Sequence, residues 1–133
     1  MSLKSQRKFI IAVAILLVGI LAVCFFVHES NRQSAIRATL AWANLSPFPE
    51  SAHELKISAE GNMFTRSFRV SFTASGDDIE KWLVNSPGTR ETVSEKTGVA
   101  TRHYSIKPSK GATHAEVNVD DSTHTVSIYV SWS

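Results

Sequence analysis

Residues 9–27, FIIAVAILLVGILAVCFFV, run for 19 positions without a charge or a strong polar group. No other feature constrains the chain as much. As a helix this run spans about 28 Å, close to the ~30 Å hydrocarbon core of a bilayer. In lipid every backbone N–H and C=O needs an internal partner, and a helix supplies it. Buried helices of soluble proteins seldom run this long without one polar residue, so the segment reads as a transmembrane helix.

Charge divides along the same line. The tail before the run carries Lys4, Arg7 and Lys8 and no acid, a charge of +3; from His28 onward 11 Lys+Arg face 12 Asp+Glu, a charge of −1, and the two sum to the net +2 of the chain. Positive flanks stay cytoplasmic. The expectation is a single-pass protein of the inner (cell) membrane, N-terminus inside, with the C-terminal part extracytoplasmic. The run exceeds the usual 7–15-residue apolar stretch of a cleaved signal peptide and lacks a small-x-small site. Leu21-Ala22-Val23-Cys24 is similar to a bacterial lipobox, so processing to a lipoprotein at Cys24 stands as an alternative; Val23, where that motif wants a small residue, is the departure.

Beyond the run, residues 30–44 contain no Gly or Pro and many helix formers, with Ile36, Leu40 and Ala43 on one helical face. Ser46-Pro47-Phe48-Pro49 is expected to end this helix. Residues 53–60 and 66–74 alternate apolar and polar side chains, the mark of half-buried strands, with a tight turn expected at Glu60-Gly61-Asn62-Met63. Asp77, with Glu80 three residues on, has the pattern of a capping box and predicts a short helix burying Ile79, Trp82 and Leu83. Residues 88–98 are polar and read as a mobile loop. Residues 99–107, 113–120 and 123–132 read as three further strands.

A two-residue turn at Asp121-Ser122 would pair Ala115 with Ile128, Val117 with Val126 and Thr113 with Val130 on one face. The other face would pair His114 with Tyr129, Glu116 with Ser127 and Asn118 with Thr125. The predicted fold is therefore α+β: a transmembrane helix and a stalk helix, then an antiparallel sheet with one packed helix in the order β-β-α-β-β-β. The divisions are a basic cytoplasmic tail (1–8), transmembrane helix (9–27), stalk helix (28–45), linker (46–52) and extracytoplasmic domain (53–133).

Three short motifs carry a resemblance: Pro49-Glu50-Ser51-Ala52, Phe68-x-Val70-x-Phe72 and Ile79-x-x-Trp82-Leu83. Across the middle third of the chain they resemble small membrane-anchored bacterial proteins of uncharacterised function, which implies an envelope location and no particular activity. The overall plan is also similar to type IV pilins, a pilin-like subunit being a further alternative. No Gly precedes Phe9, however, and Val13 stands where that family carries Glu.

Catalytic chemistry finds little support. His28, His53, His103, His114 and His124 lie in no metal-ligand spacing, and the single cysteine, Cys24, lies in the apolar run. Asp77, Asp78 and Glu80 sit where helix capping needs them. No serine stands in a nucleophile motif and no glycine-rich phosphate loop is visible. The expectations are no catalytic residues, no cofactor, no metal and no nucleic-acid partner, with an unrecognised envelope enzyme as the alternative. Arg66, Arg69 and Arg102 are candidates for a small basic patch on the sheet. The expected partners are the bilayer and an envelope protein. The candidate contact surface is the polar strand face of His114, Glu116, Asn118, Thr125, Ser127 and Tyr129.

Overall fold

A computed structural model describes residues 2–133. One helix, α1 (Leu3–Trp42), is followed by β1 (His53–Gly61), β2 (Arg66–Thr73), α2 (Gly76–Asn85), α3 (Pro87–Arg90), β3 (Glu95–Lys96), β4 (Thr101–Ile106), β5 (His114–Asp120) and β6 (Thr125–Trp132). The fold is α+β, with all six strands in one antiparallel sheet ordered β1-β2-β6-β5-β4-β3. Two compact units divide the chain, 1–34 and 35–133.

In the first unit the apolar part of the helix, residues 9–27, is exposed throughout. Its most apolar window has no buried residue, and it is long and apolar enough to cross a membrane. The 40 residues of α1 correspond to a helix about 60 Å long.

The second unit closes a core on one face of the sheet. Val70 and Phe72 of β2, Val126, Ile128 and Val130 of β6, and Val117 and Val119 of β5 are fully buried there, with Tyr104 and Ile106 of β4 beside them. Helix α2 lays Ile79, Trp82 and Leu83 on this face. The end of α1 and the residues after it join this core through Leu40, Trp42, Ala43 and Leu45, and Ala35, Ile36 and Thr39 are buried as well, so the expected face of Ile36, Leu40 and Ala43 is turned inward. Small side chains at 35, 39 and 43, one above the other at i, i+4 and i+8, let the helix approach closely. The Thr39 hydroxyl donates to the Ala35 carbonyl at 2.8 Å and so satisfies itself inside the core.

The helix ends before the prolines reach it. Asn44 adopts φ 52°, and Leu45 N–H donates to the Leu40 carbonyl, so a left-handed residue stops the helix. Residues 46–52, the expected boundary between stalk and domain, fall within the second unit. Phe48 meets Phe72 at 5.0 Å between ring centroids, and Trp82 Nε1 donates to the Ser46 carbonyl at 2.9 Å. The Gly88 N–H donates to the Asn44 carbonyl. A Cβ on Gly88 would lie 2.2 Å from the Ala43 carbonyl oxygen, so this approach requires glycine.

Several local expectations shift. The N-cap of α2 is Ser75, whose hydroxyl accepts from Asp78 N–H at 3.3 Å; Asp77 sits inside the first turn, where its charge faces the helix N-terminus. Residues 88–98 carry the end of α3 and the strand β3. The first hairpin turns at 62–65, two residues later than expected, because Asn62 Oδ1 accepts from Phe64 and Thr65 N–H groups and closes a wider turn.

The β5–β6 hairpin shifts in the same way. Its loop is 121–124, with His124 at φ 52° and Asp120 Oδ1 accepting from the Ser122 and Thr123 N–H groups. The register becomes Ala115 with Val130, Val117 with Ile128 and Val119 with Val126. A slip of two residues leaves every side chain on its expected face, since the strand period is two. Trp132, opposite Arg66 on the core side of the sheet, lies beyond the core's edge and is 41% exposed.

Candidate functional site: the solvent face of the sheet

Opposite the core the sheet is uncovered and polar. Its side chains come from the alternate positions of the same strands, so the hydrophobic alternation that builds the core also builds this face. His114, Glu116, Asn118, Thr125, Ser127 and Tyr129 all lie on it. The pairs differ from those expected: His114 is opposite Ser131, Glu116 opposite Tyr129, Asn118 opposite Ser127, and Thr125 opposite Asp120.

A row of polar contacts crosses the centre. Tyr129 carries the Arg69 guanidinium over its ring, 4.9 Å from the centroid, and the His114 ring lies 5.6 Å from it on the other side. His114 Nε2 is 3.2 Å from Glu116 Oε2. His103 Nε2 approaches the same oxygen at 4.0 Å, and its Nδ1 is 2.7 Å from Asn118 Oδ1. Two imidazoles thus converge on one carboxylate. His103 joins the row because it is paired with Asn118 across β4–β5. Its alternation with Tyr104 and Ile106 carried that signal, but placing it beside Glu116 needed the register. Arg69 joins it in the same way, through the pairing of β2 with β6.

The three arginines are not gathered. Arg69 is on the solvent face, while Arg66 and Arg102 share the core side of the sheet. Arg102 is committed to an ion-pair cluster: it bonds Asp121 through two nitrogens and reaches Glu80 on α2. These carboxylates, Asp121 first, hold its pKa above the ordinary arginine range against the opposing effect of desolvation. The cluster ties α2 to the β5–β6 turn.

Elsewhere the perturbed carboxylates are structural. The Ser51 hydroxyl donates to Asp78 at 2.6 Å and holds its pKa below the usual carboxylate value, with help from Ser75. Asp120 is lowered by the hydroxyl and N–H of Ser122. An open groove of about 290 Å³ runs between residues 46–50 and α2, past Glu50, Asp78 and Lys81. The solvent face has a dimple of only about 40 Å³, between Ser58, Glu60, Ser67, Arg69 and Tyr129. Among the described residues no group of three or more His, Cys, Asp or Glu side chains is arranged to hold a metal ion, and no buried side-chain nitrogen or oxygen lacks a hydrogen-bond partner.

Comparison with protein-family models, curated proteins and solved structures finds no match to this chain.

Proposed function

We propose that the protein is a single-pass membrane protein that displays a small binding or accessory domain outside the cytoplasm. The observation that carries this reading is the apolar helix of the first unit, with no residue of its apolar window buried, joined to a unit whose own core is closed. An apolar surface of that extent needs a nonpolar medium, and a bilayer provides one. The +3 tail favours a cytoplasmic N-terminus and a retained anchor in the inner membrane. Contact with an envelope protein is assigned to the solvent face around Glu116 and Tyr129. That face is nearly flat and rich in paired polar groups, which suits a macromolecular surface better than a small substrate needing a concave site.

Two measurements test the reading. In a Cys24→Ser background, a membrane-impermeant thiol reagent applied to intact cells should label a Ser105→Cys variant and leave Ser5→Cys unlabelled. The reverse pattern overturns the orientation. A photo-crosslinker at Ser127 should then capture an envelope protein, and the adduct should disappear when His114, Glu116 and Tyr129 are changed to alanine. An adduct that survives those changes, or equal capture from Lys81 on α2, overturns the assignment of the contact face.

A further inference from the structure

The two ends of the sheet in the second unit differ in charge and in apolar exposure. At one end lie the 62–65 hairpin turn, the last residues of β6 and the 107–113 connection; at the other lie the N-terminus of α2 and the 121–124 loop. The first end carries Arg66, Lys107 and Lys110 against Glu60 and the main-chain carboxylate of Ser133. Around the second, Glu54, Asp77, Asp78, Glu80, Asp120 and Asp121 outnumber Lys81, Lys96 and Arg102. The basic end also exposes large apolar side chains: Met63 is 87% exposed, Phe64 74% and Trp132 41%. Trp132 stands opposite Arg66, next to the turn that carries the first two.

We propose that this basic, aromatic end of the domain rests on the bilayer surface to which the chain is anchored. The inference rests on the membrane-anchor reading above and adds which part of the domain meets lipid. Only seven residues, 28–34, separate the end of the apolar run from the start of the compact unit. They are helical and span about 10 Å. The headgroup layer is itself about 6 Å deep on each side, so a tether this short keeps the domain within reach of it.

Two observations select this end. Exposed aromatic and Met side chains beside Arg and Lys are the combination that partitions into a bilayer interface. The cations favour the negative surface of anionic lipids, and the carboxylates at the far end are repelled by it. Val93 and Val99 are exposed as well, yet they stand without an aromatic partner in a segment where Glu91 and Glu95 offset Arg90 and Lys96 and leave no excess of positive charge.

The test uses the full chain, Cys24→Ser, in vesicles of phosphatidylcholine with and without phosphatidylglycerol. A nitroxide is placed by cysteine substitution at Thr65, Val99 or Leu16. Collision with a water-soluble nickel complex should be severalfold lower at Thr65 than at Val99. The difference should be larger with phosphatidylglycerol, and M63S/F64S or R66E/K110E should reduce it. Equal accessibility at Thr65 and Val99, with the Leu16 probe still shielded in lipid, overturns this inference and leaves the anchor standing. A Leu16 probe open to water overturns both.

Discussion

The two units of this protein use the same kinds of apolar side chain to opposite ends. In residues 9–27, Phe25 and Phe26 are about three-quarters exposed and Leu16 nearly two-thirds, whereas Phe72, Ile128 and Val130 are fully buried in the second unit. The difference lies in pattern. An apolar run with no polar face offers the rest of the chain nothing to segregate, so it cannot close a core with a solvated exterior. Strict alternation in β5 and β6 separates the two kinds of side chain onto two faces, and the chain buries one face with its own helices. The second unit carries its apolar environment within itself; the apolar run of the first is left exposed by the rest of the chain.

The largest effect that could break this comparison comes from charging the run. Leu16→Arg with Leu17→Arg should cost about 6–8 kcal/mol of insertion free energy on a biological scale. Carbonate extraction should then find the protein in the soluble fraction, while the denaturation midpoint of the second unit is unchanged. Retention in the membrane would show that the run is not what holds the chain there.

Phe72→Ala should do the converse. Phe72 is fully buried between Phe48 and Trp82, whose rings lie 5.0 and 5.4 Å away. Its removal should destabilise the second unit by about 3–5 kcal/mol in chemical denaturation, with membrane association intact. A loss below about 1 kcal/mol would mean that this region repacks freely and is less closed than its burial indicates.

The smallest effect concerns pH. Asp78 and Asp120 have folded pKa values depressed by hydroxyl and amide donors. The stability they contribute is therefore present above the unfolded carboxylate value, near 4, and is lost as pH falls through the folded values. Ser51→Ala removes the main donor to Asp78. Its pKa, followed by NMR of the side-chain carboxyl, should rise toward the ordinary value, and acid destabilisation should begin slightly less steeply. No change would mean that Ser75 alone sets the titration.

Much of this architecture is readable before any fold is known. The alternation over 66–74 and 113–132 names the core face correctly, and the run at 9–27 stands apart from everything after it. The polar face of His114 to Tyr129 is equally legible as a face. Its neighbours across the sheet are not. His103 beside Glu116 and Arg69 over Tyr129 follow from strand order and register, which bring together residues far apart in sequence. Capping illustrates the same limit: Ser75 and Asp77 are both good N-cap types, and the backbone geometry where β2 leaves the sheet selects Ser75.

What the sequence by itself determined is the segregation: which stretch is apolar on all sides, which positions face inward, and where the charge divides. These depend on periods of two and 3.6 residues, local properties of the backbone. Only the tertiary structure decided the pairing. A hairpin moved by two residues keeps its faces and loses nothing in alternation, so the turn must choose, and both hairpins chose a four-residue turn closed by a side chain. The tertiary structure also brought 46–52 into the compact unit, because Phe48 completes the packing around Phe72 and Ser46 accepts the Trp82 N–H, contacts that no local period encodes.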